Sequence, residues 1–390
     1  MTIEELTTIE KLNRAFYQAS KASKWKSSTQ RYHSELLLNN LKLQEELRNG
    51  TYTVQKTVNF WINERGKSRY IESPTIRDRI VQKVLTTEIL IPNLTKPLIY
   101  DNYASLKGRG TSFARKRTDV MLRRFIKEFG VNGYVLLIDI KRYFPSIDHD
   151  ILKHMIREKI HESKEIMGLI DYVIDCSSTC NKGLNLGSEA PQIFAVYYLN
   201  PIDTFCKTVK AIRYYGRYMD DILILSDKKE KLKDLLEEIR VQLAKLNLEI
   251  NEQKTIMVKL SRGFTFLQIK YNISKDGKII KRPTHKKVSR ERKRLRKFRG
   301  QYDSGKMTEL DIHNAYKSWR NSIVKDCNAC YKTIKSTDYL YESLFPIHEN
   351  YVRPKRNELL NEIWKENFDA VFRYGRKSSF SRREGSNGLH

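Results

Sequence analysis

The sequence predicts an α+β protein, because segments with helical periodicity alternate with short strand-like runs. Apolar side chains recur with the period of a helix through residues 1–50 and again through 228–246. Tyr134 to Ile138 form an apolar run with the length and composition of a buried strand. Strand-like residues also flank Asp220 and Asp221, which predicts that these two acids lie at the tip of a β-hairpin.

The charge balance favours a polyanionic partner. The 390 residues include 73 Lys and Arg against 46 Asp and Glu, a net charge of +27 with a pI near 9.7. A basic protein without such a partner, or one bound to anionic lipid, is the alternative. No secretory signal opens the chain and no apolar run approaches the roughly 18 residues of a membrane span. We therefore expect a cytoplasmic protein that does not enter a membrane.

The cysteines agree with a reducing compartment, since there are five of them without a disulfide framework. Cys176 with Cys180 and Cys327 with Cys330 could together bind zinc. Both pairs lie in helix-like sequence and no histidine spacing completes a site, so the sequence favours ordinary cysteines.

Strand and helix signals follow one another after the N-terminal helices. Residues 51–63 alternate like a strand, turn at 64–67 and return through Arg69 to Ile71. A helix is predicted from about Arg77 to Leu90, bounded by Pro74 and Pro92.

A glycine-flanked basic loop comes next. Gly108 and Gly110 flank Arg109, and a basic helix is predicted to start at Thr111. Glycine lets another backbone approach closely, and a helix N-terminus favours phosphate. Further on, Asp148 is expected to cap a helix and His149 to lie at the surface.

A third acid changes the meaning of the Asp220-Asp221 pair. The apolar strand that starts at Tyr134 ends in Asp139, and strand ends are places where backbone geometry fixes metal ligands. Neighbouring carboxylates repel unless a cation separates them, and Mg²⁺ takes carboxylate oxygens. Asp220-Asp221 alone would be read as an acidic turn, but with Asp139 the pattern favours a metal site.

Two separate motifs carry a resemblance to a known family. Tyr-Met-Asp-Asp at 218–221 and Asp-x-x-x-Tyr-Phe at 139–144 resemble the palm of reverse transcriptases. The resemblance covers roughly residues 35–300 and is closest to the bacterial, group II intron-like lineages. It implies a right-hand polymerase fold of α+β class, with an antiparallel palm sheet backed by helices.

The resemblance also implies a division of the chain into domains. These are an N-terminal helical extension (1–50), fingers (51–130), a palm with a fingers insertion and primer grip (131–272), a basic helical thumb (273–345) and a C-terminal extension (346–390). The tail from about residue 373 is rich in Arg, Ser and Gly and is expected to be disordered.

The chemistry implied by the family is two-metal nucleotidyl transfer. Asp139 and Asp220 would bridge two Mg²⁺ ions, for which Mn²⁺ can substitute, with help from Asp221. The resemblance assigns Ile140 to both the metal and nucleotide sites. Lys254 lies in a motif whose lysine protonates the leaving pyrophosphate; a surface lysine is the alternative.

Further positions are assigned to the incoming dNTP. Lys67 and Arg69 correspond to a basic pair that grips the triphosphate, with a solvated charged hairpin as the alternative. Phe144 corresponds to a steric gate against the ribose 2′-hydroxyl, whereas Tyr143 is expected to be a core aromatic.

The loop before the next apolar helix indicates a lineage. Leu186, Gly187 and Gln192 resemble the nucleotide-facing block of reverse transcriptases from diversity-generating retroelements, with Pro191 replacing a serine. An aliphatic Leu186 cannot hydrogen-bond the nascent base pair, which suggests relaxed fidelity.

Basic residues in two regions are candidates for contact with template, primer or hybrid duplex. Residues 264–269 resemble a primer-grip hairpin, and the thumb-like region after it is strongly basic. A solvated helix face is the ordinary alternative for such a charge run. The nucleic-acid candidates are Lys107, Arg109, Arg115, Lys286, Lys287, Arg290 and Lys293.

The expected partners are a template RNA, the DNA product and RNA–DNA hybrid, dNTPs and a small accessory protein. Three roles are distinguished: mutagenic copying in a diversity-generating retroelement, antiphage defence by copying an associated non-coding RNA, and non-catalytic RNA binding of maturase type. The presence of Asp139, Asp220 and Asp221 argues against the third.

Overall fold

The computed structural model describes residues 1–64, 67–178, 180–346 and 357–363, without the side chains of Glu64 and Lys67. The chain divides into two compact units. The first comprises Met1–Gly108, Leu137–Leu223 and Lys233–Ile256, and the second Arg109–Leu136, Ile224–Leu232 and the described part of Met257–His390. Helices and antiparallel strands alternate along the chain, which confirms the α+β prediction.

The first unit begins with helices that cover most of residues 1–50, as predicted. Thr8 caps the second of them, and Leu12, Phe16 and Leu43 form a buried core between them. The helices are α1 (Ile3–Leu6), α2 (Ile9–Ala19), α3 (Ser27–Ser34) and α4 (Leu36–Arg48).

An antiparallel hairpin of β1 (Val58–Glu64) and β2 (Lys67–Ser73) follows. The prediction that the first strand begins at Thr51 was wrong. Residues 51–57 form no strand, and two of their groups bond to the buried carboxylate of Asp78: the Tyr52 hydroxyl donates to it at 2.8 Å and the Gln55 N–H at 3.2 Å.

The next helix runs further than predicted. Helix α5 (Ile76–Val84) continues as a π-helical turn (Leu85–Leu90) and then as α6 (Ile91–Leu94). Pro92 does not stop it, because proline is tolerated in the first turn of the new segment. The basic helix α7 (Thr111–Phe129) starts after Gly110, as predicted, and belongs to the second unit.

A four-stranded sheet carries the predicted buried strand. Its strands are β3 (Tyr134–Asp139), β4 (Tyr215–Tyr218), β5 (Asp221–Ser226) and β6 (Ile256–Lys259), in the order β4-β5-β3-β6. The two inner strands, β3 and β5, have continuous buried apolar runs, as expected for strands covered on both faces.

Helices connect these strands in sequence. They are α8 (Tyr143–Ser146), α9 (His149–Arg157), α10 (Lys164–Asp175), α11 (Glu189–Tyr198), α12 (Asn200–Thr204) with a π-helical turn (Phe205–Val209), and α13 (Lys229–Ala244). Asp148 caps α9, as predicted. The prediction for His149 was wrong: its side chain is buried and its Nε2 lies 2.7 Å from the carbonyl oxygen of Gly183.

The second unit contains a three-stranded antiparallel sheet and a helical C-terminal part. The strands are β7 (Phe264–Phe266), β8 (Ile269–Ile273) and β9 (Ile279–Pro283), preceded by a 3₁₀ turn (Leu260–Arg262). The helices are α14 (His285–Asp303), α15 (Glu309–Asp326), α16 (Tyr331–Leu344) and α17 (357–363). The tail predicted to be disordered from about 373 lies outside the described residues.

No helix in the described part of the chain combines the length and apolar content needed to cross a bilayer.

Candidate active site

Asp139 is fixed by its position at the end of β3. Its carbonyl oxygen accepts a hydrogen bond from the Asn251 N–H at 2.8 Å, and its own N–H donates to the Thr255 hydroxyl at 3.3 Å. The Asn251 side-chain amide also donates to Asp139 Oδ1 at 2.9 Å. Residues 251–255 therefore bracket both the main chain and the carboxylate of Asp139.

Asp220 and Asp221 lie at the hairpin tip that the sequence predicts. Met219 and Asp220 form the two-residue turn between β4 and β5, and Asp221 is the first residue of β5. Met219 has a φ of 53°, in the left-handed region that residues other than glycine rarely adopt. The side chains of both acids are half-buried.

Lys254 connects the three acids. Its ammonium donates to both carboxylate oxygens of Asp139, at 2.8 Å and 3.0 Å. The pKa of Lys254 is raised, chiefly by this hydrogen bonding, and also by the negative charges of Asp139, Asp220 and Asp221. Asp139 and the Asp220-Asp221 pair, which are far apart in the sequence, thus lie within electrostatic reach of one ammonium.

The carboxylates do not form a finished metal-ligand set as they stand. In the described parts of the chain, no three His, Cys, Asp or Glu side chains are grouped to hold an ion. At Asp139, both carboxylate oxygens accept hydrogen bonds from Lys254. The donor chemistry still suits Mg²⁺, which prefers hard carboxylate oxygens, but coordination by Asp139 requires the pair with Lys254 to open.

The backbone next to Asp139 leaves a further oxygen donor. Ile140 pairs with Ile250 in an isolated antiparallel bridge. The hydrogen bonds of that bridge are made by Asp139 and by the Lys141 N–H, which donates to the Glu249 carbonyl at 2.9 Å. The bridge therefore does not use the carbonyl of Ile140, the residue that the family resemblance assigns to the metal and nucleotide sites.

The predicted nucleotide-binding pair lies on the β1–β2 hairpin. Arg69 is half-buried in β2, opposite Ile62 of β1. Lys67 begins β2, and its side chain lies outside the described residues. Exposed aromatic rings of Trp61 and Tyr70 pack on the same hairpin, 5.1 Å apart.

The Leu186-Gly187 loop is joined to this hairpin by its backbone. The Glu72 N–H donates to the Leu186 carbonyl at 3.1 Å. A Cβ at Gly187 would lie 2.9 Å from the Glu72 carbonyl oxygen, and the φ of Gly187 is 133°. Only glycine fits this approach without a shift of the backbone. Gln192 is exposed, and the Ser105 hydroxyl donates to its side chain at 3.4 Å.

The two aromatics after Asp139 have different environments. Tyr143 is 3% exposed and its hydroxyl donates to the Ala195 carbonyl, which confirms that it is a core residue. Phe144 is half-buried and meets Tyr143 edge to face, with ring centroids 5.8 Å apart. Of the pair, Phe144 is the one with an accessible ring surface.

Comparison with known families decides the assignment. The profile of the family described as reverse transcriptase (RNA-dependent DNA polymerase) matches residues 54–271, which is more than half of the chain. The chain belongs to the reverse transcriptase family. This family carries the right-hand polymerase fold that the sequence predicts, and the matched segment contains Asp139, Asp220, Asp221 and Lys254.

Solved telomerase structures resemble this reverse transcriptase at low identity. The apo telomerase of Candida tropicalis, truncated from its C-terminal domain, is 14% identical with a TM-score of 0.43, over 60% of this chain and 58% of that chain. The telomerase of Candida albicans with a TWJ fragment of telomeric RNA is 12% identical with a TM-score of 0.44, over 84% and 64%. The chain thus spans about three fifths of the length of these two proteins. A search of curated proteins found no match.

One predicted nucleic-acid contact of this reverse transcriptase needs correction. Arg115 is 8% exposed and pairs with buried Asp326. Its guanidinium also donates to the Leu267 carbonyl at 2.6 Å and 3.1 Å. A buried arginine bound to a carboxylate and a carbonyl is poorly placed to meet phosphate, so Arg115 instead supports the β7–β8 turn, where Leu267 and Gln268 have φ of 45° and 67°.

The other basic candidates are accessible to different degrees. Lys107 is exposed, and Arg109 is half-buried with its guanidinium 5.8 Å from the centroid of the Phe113 ring. Among the exposed cations of α14, the three predicted contacts Lys286, Arg290 and Lys293 lie at helical spacing on one face, whereas Lys287 is half-buried.

The cysteines do not form a metal site within the described residues. Cys327 and Cys330 are buried, and burial raises the pKa of each thiol to about 12. Zinc binds thiolates, which this environment disfavours. Cys176 and Cys180 are exposed free thiols.

Two important residues were missed by the sequence reasoning. Arg217 of the β4–β5 hairpin forms a fully buried ion pair with Asp203. The only local signal was a charged residue inside an otherwise apolar and aromatic strand, and nothing near Asp203 marks it as the partner.

Proposed function

We propose that this chain is an RNA-directed DNA polymerase that copies an RNA template into cDNA by two-metal nucleotidyl transfer. The observation that carries the proposal is the position of Lys254, whose ammonium binds Asp139 and interacts with the charges of Asp220 and Asp221. Three carboxylates around one ammonium, in a chain of the reverse transcriptase family, have the donor chemistry that divalent cations prefer.

The acids would hold two Mg²⁺ ions, with Mn²⁺ as a substitute. Asp139 and Asp220 would be their carboxylate ligands, the Ile140 carbonyl would add an oxygen donor, and Asp221 would supply further negative charge. When bound, the ions would supply activation of the primer 3′-hydroxyl and charge balance for the triphosphate. A new bond forms between the 3′-oxygen and the α-phosphorus as the bond to pyrophosphate breaks.

The remaining groups act on the nucleotide. Lys67 and Arg69 bind the triphosphate, as a point charge and a bidentate donor respectively. Lys254 is protonated, and after leaving Asp139 it is the proton donor to pyrophosphate. The accessible ring of Phe144 excludes a ribose 2′-hydroxyl and so selects dNTPs.

The biological role that we propose is copying of a dedicated template RNA in a bacterial retroelement of diversity-generating type. The aliphatic Leu186 and the Gly187 approach to β2 support it, because this nucleotide-facing loop is held by backbone contacts and not by a hydrogen-bonding glutamine side chain. The exposed cations of α14 suit the hybrid duplex, and a small accessory subunit completes the assembly.

Sequencing the RNA and cDNA that copurify with the wild-type protein and with Asp220→Ala tests this proposal. We expect both preparations to contain the same RNA but only the wild type to contain cDNA complementary to it. A variable repeat as the copied RNA would support the retroelement role, and a non-coding RNA from a locus without one would replace it by antiphage defence. Equal cDNA in both preparations would contradict polymerase activity at this site.

A further inference from the structure

The turn that carries Asp220 is held from below by one buried side chain. The guanidinium of Arg217, the third residue of β4, donates to the carbonyl oxygen of Met219 at 3.0 Å. Met219 is the turn residue with a φ of 53°. A residue forced into this conformation needs support from its surroundings, and the hydrogen bond from Arg217 supplies it.

Arg217 can give this support because hydrogen bonds fix both its side chain and its main chain. It is 0% exposed, and its guanidinium donates to the Asp203 carboxylate at 2.8 Å and 2.6 Å and to the Val196 carbonyl at 3.0 Å. Its main chain is also paired: the Arg217 N–H donates to the Asp101 carbonyl at 2.9 Å, and the Tyr103 N–H donates to the Arg217 carbonyl at 2.8 Å.

The buried carboxylate of Asp203 accepts the hydrogen bonds that hold this network together. It lies in α12, is 0% exposed, and receives the Tyr215 hydroxyl at 2.6 Å in addition to Arg217. A buried charge without its partner is strongly unfavourable, so the pair remains together. Burial alone would lower the pKa of the guanidinium, but the charge of Asp203 outweighs this and raises it, so Arg217 stays charged.

We propose that Arg217 is a positioning residue for catalysis. It is anchored on buried Asp203 and holds the Met219 carbonyl, and in this way it positions the neighbouring metal-binding carboxylates. The inference rests on the proposed function, since it concerns the same carboxylates. Arg217 touches neither substrate nor metal in this scheme. It sets where Asp220 and Asp221 lie before a cation arrives, which lowers the reorganisation that binding requires.

The second unit provides a matched control. Arg115 is also buried, pairs with a buried aspartate, Asp326, and donates to the carbonyl of a turn residue with positive φ, Leu267. Arg115→Lys therefore removes an equivalent set of bonds from a turn that carries no carboxylate of the site.

The test measures Mn²⁺ binding by electron paramagnetic resonance for Arg217→Lys, Arg115→Lys and Asp220→Ala, alongside thermal unfolding. Lysine keeps the charge but cannot reach Asp203, Val196 and Met219 together. We expect Arg217→Lys to weaken Mn²⁺ binding about 10- to 100-fold, the range found when groups that orient metal ligands are removed. Arg115→Lys should leave Mn²⁺ affinity unchanged. Equal affinities of Arg217→Lys and wild type, with Asp220→Ala weakened, would overturn the positioning role alone; an unchanged Asp220→Ala would overturn the proposed site itself.

A double-mutant cycle isolates the step through Met219. Glycine adopts a φ of 53° without support. In a Met219→Gly background, Arg217→Lys should therefore reduce Mn²⁺ affinity less than it does in the wild type. The same fold-change in both backgrounds would contradict transmission through the Met219 carbonyl.

A milder variant covers the case in which Arg217→Lys does not fold. Tyr215→Phe removes a single hydroxyl from Asp203 and leaves the arginine pair in place. Its Mn²⁺ affinity should fall about three-fold, on the order of one weakened hydrogen bond. An unchanged affinity in a folded Tyr215→Phe protein would overturn the proposal.

Discussion

The ammonium of Lys254 lies 2.8 Å and 3.0 Å from the two carboxylate oxygens of Asp139. Under the proposed function a divalent cation would bind these oxygens, so lysine and metal would compete for the same atoms. Lys254 would then neutralise part of the acidic site before the cations and nucleotide arrive. Once displaced, the same ammonium would act on the pyrophosphate.

Replacing Lys254 by methionine should strengthen metal binding and slow turnover. Methionine keeps an unbranched side chain but removes the competing charge, so we expect Mn²⁺ to bind roughly tenfold more tightly, on the order of one charge–charge interaction at a partly screened site. The rate of nucleotide addition should fall because the proton donor is lost. Metal titration and single-turnover extension measure the two effects.

Lys141→Met is the control for this prediction. Lys141 forms an exposed pair with Glu249 close to the same strand end, at 2.8 Å. Its loss should leave Mn²⁺ affinity unchanged. Unaltered metal binding in Lys254→Met would contradict the competition.

Gly187→Ala should destabilise the contact between the Leu186-Gly187 loop and the β1–β2 hairpin. The added Cβ would lie 2.9 Å from the Glu72 carbonyl oxygen, in a backbone conformation with φ of 133°. We expect a loss of about 1–3 kcal/mol in the free energy of unfolding and a raised KM for dNTP. Urea unfolding and steady-state kinetics provide the readouts.

A second glycine gives the opposite expectation. Gly168 lies inside α10 and a Cβ there meets nothing within 4 Å. Gly168→Ala should therefore stabilise the protein, by about 0.5–1 kcal/mol. Equal effects of the two substitutions would show that the approach of Gly187 to β2 is not a constraint.

Phe144→Ala should relax the choice of sugar. Its ring is the accessible one of the aromatic pair, and removing it opens space for a 2′-hydroxyl. We expect the ratio of kcat/KM for dTTP to that for UTP to fall by at least an order of magnitude, roughly the value of one lost steric exclusion. Phe144→Tyr keeps the ring and should keep the preference for dTTP. A lower ratio in Phe144→Tyr together with an unchanged ratio in Phe144→Ala would contradict the gate.

Charge removal on α14 should reduce the salt dependence of hybrid binding. Changing the exposed Lys286, Arg290 and Lys293 to Gln should lower the slope of log K against log salt by up to about 3, since each neutralised phosphate contributes about 0.9. Fluorescence anisotropy with an RNA–DNA duplex measures this slope.

A triple substitution on another helix separates local contact from net charge. Three exposed lysines of α13 are Lys229, Lys231 and Lys233. Changing them to Gln removes the same charge as the α14 variant. The α13 variant should retain most of the slope. Identical slopes for the two variants would attribute the effect to overall charge.

Local patterns were sufficient to predict the strands and the turn that carry the acids. Asp139 follows a continuous apolar run, and Asp220-Asp221 interrupt another, so period and composition alone located them. The strand prediction for residues 51–57 was wrong. The alternation of this segment resembles a strand, but two of its groups bond to the buried carboxylate of Asp78.

Long-range partners explain the other failures. Arg115 looked like a phosphate ligand because its neighbours are basic, but its partner Asp326 lies more than two hundred residues further along the chain. Arg217 and Asp203 pair through the fold in the same way. Sequence spacing shows which residues are charged, whereas only the fold shows which charges are buried against each other.

The most direct test of the central claim is Mg²⁺-dependent primer extension on poly-rA/oligo-dT by wild type, Asp139→Asn, Asp220→Ala and the exposed control Asp234→Asn. We predict that wild type and Asp234→Asn extend the primer at equal rates, and that both site variants lose at least 10²-fold, roughly the effect of removing a ligand that holds a reacting charge. Extension by Asp139→Asn or Asp220→Ala at the wild-type rate would contradict a shared metal site at the ends of β3 and the β4–β5 hairpin.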